Sequence, residues 1–181
     1  MPKRNRKKYS RPGKPFDKQR IEAENVLVER YGLKNKREIW KADAAISRIR
    51  NLAKDLITKS EEEKELFIDR LAKKGFKVES IADALALDKE DWLKRRLQTI
   101  VFSKGYTTTA KQARQLINHK HVSVGEQTVN IPSYQVNLEE ESQVKLNVVL
   151  NIKRPEKGKM ETIKEEIMNP EEIIEEAALE A

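Results

Sequence analysis

Lys111, Arg114, Gln115 and Asn118 recur at i, i+3, i+4 and i+7, the spacing of one helical face. All four side chains donate hydrogen bonds and none is acidic. A face that meets only water gains from mixing Glu with Lys at i,i+4, whereas a donor-only stripe suits phosphates, riboses and base edges. Arg95, Arg96 and Lys104 lie just upstream, and residues 92–125 hold seven Lys/Arg and no acid. Lys3, Arg4, Arg6, Lys7, Lys8, Arg11 and Lys14 make a second basic block, in which residues 1–20 carry nine Lys/Arg against one acid. Such blocks attract polyanions, chiefly by releasing counterions from phosphates. Arg37, with Lys41, adds a basic edge further along. Tyr134 suits stacking on a base or capping a small core. The competing reading of any one basic run is solvated charge, but two acid-poor blocks, one of them amphipathic, favour a polyanionic partner.

Other chemistries find little support. The chain has no cysteine, so disulfides and thiolate metal sites are excluded. His119 and His121 flank Lys120 with no carboxylate nearby, a poor metal site. No glycine-rich phosphate loop or nucleophile elbow occurs, and Glu61-Glu62 sits on an exposed run. We therefore expect no cofactor, no metal and no catalytic residue. No apolar run approaches the roughly 18 residues of a membrane span, and no apolar signal core follows the basic start. A cytoplasmic protein with no membrane partner is expected. Of the 181 residues, 38% are hydrophobic and 37% charged, so the core is lean and much of the surface meets water or a polar partner.

The elements that hold these residues read as α+β. Two prolines near the end and a glycine in a strongly basic run make residues 1–16 an arm. A helical domain follows over 17–91. Its first helix begins at Asp17 and ends near Gly32. The second covers 36–58, with Ile39, Ala42, Ile46, Ile49, Ala53 and Leu56 on one face. Ser60 with Glu63 predicts a capped third helix ending near Gly75, and Ile81 to Leu87 a short fourth. Residues 92–104 read as one helix with the stripe Leu93, Leu97, Ile100 and Val101, stopped by Gly105. Thr109 and Gln112 predict a capping box for a helix from Ala110. The period then changes to two. Val122/Val124, Val129/Ile131, Val136/Leu138 and Val144/Leu146/Val148/Leu150 predict a small antiparallel sheet. Trp40 and Trp92 are expected in the core. This binding domain spans 92–155, and 156–181 is an acidic tail with a balance of −6.

Leu93-Lys-Arg-Arg-Leu97, Ala110-Lys-Gln-Ala-Arg-Gln-Leu-Ile117, His121-Val-Ser-Val124 and Ile131-Pro-Ser-Tyr134 together resemble the RNA-binding module named after bacterial ribosomal protein S-four, also called the alpha-L motif. His121 resembles the histidine that opens the module's first strand. Pseudouridine synthases, a tyrosyl-tRNA synthetase and a small heat-shock protein carry the same module. Lys7-Lys-Tyr-Ser-Arg-Pro-Gly-Lys-Pro15 and Tyr31-Gly-Leu-Lys-Asn-Lys-Arg-Glu-Ile-Trp40 resemble archaeal and eukaryotic members of the ribosomal S-four family itself. The resemblance implies a primary binder of small-subunit ribosomal RNA that nucleates assembly of the subunit body and supports accurate decoding. It implies small-subunit proteins five and twelve as neighbours, near the channel by which messenger RNA enters. It also implies that the C-terminal segment returns to the N-terminal helices. The zinc site of many bacterial members is not carried over, because its cysteines are missing. A ribosome-biogenesis factor acting on precursor RNA is the alternative. A module-bearing RNA-modifying enzyme and a helix-turn-helix DNA binder fit less well.

Overall fold

The computed structural model describes residues 9–148. The basic arm up to Lys8 and the acidic tail, with Leu150, lie outside the described residues. The element order is α1 (Lys18–Arg30), α2 (Arg37–Leu56), α3 (Glu61–Lys73), α4 (Ile81–Ala86), α5 (Lys89–Lys94), α6 (Leu97–Ser103), α7 (Ala110–Asn118), β1 (Val122–Val124), β2 (Gln127–Thr128), α8 (Leu138–Gln143) and β3 (Val144–Leu146). The fold is α+β: a helical body with a three-stranded antiparallel sheet in the order β2-β1-β3. Val122 and Val124 pair with Leu146 and Val144.

The periodicity of α2 becomes its packing. Ile39, Ala42, Ile46, Ile49 and Ala53 are all buried, at 3.6-residue spacing. The face feeds two core clusters. Ile39 and Ala42 join Leu27, Tyr31, Leu33, Leu93, Leu97, Ile100, Val101, Ala113, Ile117, Val122, Val136 and Val144. Ile46, Ile49 and Ala53 join Phe67, Leu71, Phe76, Val78, Ala84 and Leu87. Trp92 packs against both clusters and stacks on Phe76 with ring centroids 6.0 Å apart. The first cluster therefore crosses from the N-terminal helices into the binding module, and α2 is shared between them.

Three local expectations are corrected. The single helix over 92–104 is two helices broken at Arg95-Arg96. An extended segment takes the hydrogen bonds a continuous helix would use: Leu97 N donates to Tyr134 O at 2.8 Å, Gln98 N to Pro132 O at 3.3 Å, and Val136 N to Arg95 O at 3.1 Å. The sheet is also shorter than the alternation predicts. Val129 N still reaches Val122 O at 3.1 Å, but the chain then leaves β1 for α6, and Ile131 is exposed. Leu138 opens α8 instead of continuing a strand, because Asn137 N donates to Glu140 Oε2 at 3.0 Å and starts a helical turn. Finally, Ser60 precedes α3 but makes no side-chain cap, and Glu63 turns to Lys59 at 3.3 Å. The reciprocal cap forms instead at α4, where Asp83 N donates to Ser80 Oγ and Ser80 N to Asp83 Oδ2.

Candidate nucleic-acid interface

Helix α7 supplies the outer face. Thr109 Oγ1 accepts from Gln112 N at 3.2 Å, while the Gln112 side chain reaches back to Thr108 N at 3.1 Å, one residue earlier than a capping box requires. Ala110, Ala113 and Ile117 are buried, which turns Lys111, Gln115 and Asn118 outward, all exposed. The exposed residues of α7 are thus donors with no acid among them, and the helix N-terminus adds favourable partial charge toward an anion. His119 and Lys120 continue the exposed surface beyond α7, Lys120 in the left-handed region at φ 63°. His121 is half-buried, its ring stacked against His119 with centroids 6.2 Å apart.

Arg114 belongs to the same stripe but looks inward. Its Nη2 donates to Glu38 Oε1 at 2.9 Å and its Nη1 to Gln98 Oε1 at 3.2 Å. Glu38 also receives Arg96 Nη2 at 2.5 Å, so one carboxylate at the start of α2 clamps two arginines of the module. Burial pushes the Glu38 carboxyl up, but hydrogen bonds from Arg114 and Arg96, with their charges, outweigh it and hold the group below its usual range. Arg96 is only 4% exposed: its guanidinium lies in the joint between α2 and the module, away from the outer donor face of α7. Gln98 closes the same joint from beneath. It is buried, and its Nε2 donates to Tyr31 O, Gly32 O and Ala110 O at 2.9, 2.9 and 3.0 Å. Gly32, at φ +57°, lets the α1–α2 turn approach the start of α7; a Cβ there would meet Ala110 backbone at 2.9 Å.

The other expected site residues divide in the same way. Arg95 is bonded to Glu141 at 2.7 Å and Val136 O at 2.8 Å, and Lys104 Nζ donates to Glu141 O. Both brace α8 against α6, with only part of their surface free. Tyr134 donates its hydroxyl to Glu140 Oε1 at 2.9 Å; burial and that carboxylate raise its pKa. Trp40 donates to the buried Glu24 at 2.9 Å, within the core region as expected. Arg11, Lys14, Arg37 and Lys41 are exposed. Lys3, Arg4, Arg6, Lys7 and Lys8 lie outside the described residues.

Sequence reasoning missed Glu38 and Gln98. Glu38 reads as a solvated acid of the first helical turn. Gln98 gave a faint signal, as a polar residue next to Leu97 and one turn before Val101 on the apolar stripe. Among the described residues no group of three or more His, Asp or Glu is placed to hold a metal, and no helix is long and apolar enough to cross a membrane.

Comparison with known proteins places this geometry. Residues 95–142 match the family model described as the S4 domain, which spans α6, α7, the sheet's first two strands and the extended segment that breaks the helix. The proteins named small ribosomal subunit protein uS4 of Saccharolobus solfataricus and of Saccharolobus islandicus are each 41% identical to the chain over 160 residues, covering 84% of it and 88% of the relative. The chain belongs to the uS4 family of small-subunit ribosomal proteins. The similarity extends well past the S4 domain, so it takes in the N-terminal helices that carry Glu38. In this family member the module is seated on α2 through the two arginines and on the α1–α2 turn through Gln98, and the exposed donors of α7 stand free of that joint.

Proposed function

We propose that the chain is a structural constituent of the small ribosomal subunit that binds its ribosomal RNA directly. Membership of the uS4 family carries this reading, and the acid-free exposed face of α7 supplies the binding surface. Lys111, Gln115 and Asn118 form the outer contact, Lys111 to phosphate and the two amides to ribose or base edges. The role is structural and not enzymatic, and it is exercised in the cytoplasm, within the subunit. The basic arm, with Arg11, Lys14 and the lysines and arginines before them, tracks phosphates elsewhere on the same RNA. Nucleation of the subunit body, support of decoding accuracy, contact with small-subunit proteins five and twelve and proximity to the path of messenger RNA follow from the family resemblance.

The joint gives the mechanism a physical basis. Because Glu38 fixes α7 to α2, and Gln98 and Gly32 fix it to the turn between α1 and α2, the donor face and the N-terminal helices reach the RNA as one preorganised unit, and less conformational freedom is lost on binding. A protein of this kind can hold distant RNA helices in one relative orientation, as assembly of a subunit body requires. The test is to sediment a cell lysate at moderate salt and probe for the chain. Near-stoichiometric signal in mature small subunits and translating ribosomes is expected. Signal confined to precursor particles identifies a biogenesis factor instead, and signal only at the top of the gradient overturns the ribosomal reading.

A further inference from the structure

We propose that the cleft between the start of α2, the start of α6 and the turn at 132–135 takes up a single unpaired nucleotide of the bound RNA. The proposal rests on the RNA-binding reading above and adds a specific pocket to it. The cleft is about 300 Å³ and its cationic wall is Arg37, Lys41, Arg96 and Arg114, against the one carboxylate of Glu38. Glu38 is already committed to two of the four.

Arg96 lines the cleft from an almost fully buried position. It is 4% exposed, its Nε is buried with no acceptor, and among the described residues only its Nη2 has one. Its Nε is enclosed by the protein, so Arg96 contributes charge to the wall, and the exposed Arg37 and Lys41 supply the donors an occupant can reach. The opposite wall is mixed. Gln135 donates its Nε2 weakly to Trp92 O at 3.4 Å, and its Oε1 has no partner among the described residues. Ser133 is exposed beside it. Donors and acceptors side by side match the edge of a base, whereas a bare phosphate needs donors only. Trp92 and Pro132 supply apolar lining.

Size narrows the ligand further. The volume sits at the small end of the roughly 300–1,000 Å³ range of organic-ligand pockets, enough for one nucleoside and too little for a strand. Bases inside an RNA helix are stacked and paired, so only an unpaired nucleotide presents its edge to such a pocket. Arg37 and Lys41, both exposed at the rim, take the flanking phosphate.

The test uses the full chain, a small-subunit ribosomal RNA fragment and a base-reactive probe such as dimethyl sulfate. Ser133→Phe plugs the mouth from an exposed position whose side chain makes no hydrogen bond, and a melting curve checks its fold. Gln135→Met removes the polar edge without adding bulk. One or a few unpaired bases should lose reactivity with wild type and regain it with either variant at saturating protein. Affinity should fall roughly tenfold, the scale of one lost base contact. An identical protection pattern for wild type and both variants overturns the proposal. So does a glutamate-rich peptide that binds wild type, is excluded by the plug, and leaves RNA affinity untouched, because the occupant is then an acidic protein segment. Failure of wild type to bind the RNA at all overturns the proposed function itself.

Discussion

Replacing Glu38 with glutamine should remove the charge that holds the module on the N-terminal helices while keeping the shape of the joint. In the wild type one carboxylate, 13% exposed, faces Arg96 at 2.5 Å and Arg114 at 2.9 Å, with Arg96 4% exposed. Removing one member of a buried ion pair costs about 3–5 kcal/mol, because the partner charge is left uncompensated. Arg114 is 21% exposed and regains some water, and the amide oxygen still accepts one hydrogen bond, so the lower end applies: about 3 kcal/mol. In a chain of this size that is a melting shift of roughly 6–12 °C. The pH dependence follows from the sign of the pKa shift. The folded-state carboxyl lies below the ordinary value of 4.5, so its contribution is fully present above about 4.5 and is lost as pH falls through the lower folded value. Urea unfolding of wild type and Glu38→Gln should therefore differ by about 3 kcal/mol at pH 7 and converge well below pH 4.5, where the wild-type side chain is itself neutral. A gap at pH 7 under about 0.5 kcal/mol refutes the claim that the clamp holds the joint. A full gap that persists unchanged in acid refutes its electrostatic origin.

Other perturbations address neighbouring steps of the same reasoning. Gln98→Leu keeps the volume but strips Tyr31 O, Gly32 O and Ala110 O of their shared donor; urea unfolding should show a loss of about 2 kcal/mol. Gly32→Ala forces a left-handed φ of +57° and a 2.9 Å approach to the backbone at Ala110, together costing about 2–4 kcal/mol, read by thermal melting. Lys111→Gln changes an exposed side chain, so melting should stay constant while the slope of log affinity against log salt for the RNA fragment falls by about 0.7–0.9. Arg96→Ala should lower stability and RNA affinity together, which filter binding and melting in parallel will show; affinity loss at constant stability would refute its role in holding the joint.

The contrast between Lys111 and Arg96 shows what the sequence makes legible. Helical period told which side of α7 is buried, and that alone turns Lys111, Gln115 and Asn118 outward. The same logic placed the α2 face and the helix stops, because those depend on residues close in the chain. Arg96 could not be placed this way. Its fate is decided by Glu38, 58 residues earlier, and by the segment 132–136, whose backbone breaks the helix that periodicity predicts. A donor is free to meet RNA only if no distant acceptor has claimed it, and charge runs carry no record of such claims. For the same reason Glu38 read as one solvated acid among many. The structure turns two arginines of the acid-free run over 92–125 inward, and with no local acid they need an acceptor from elsewhere in the fold. That need ties the module to α2.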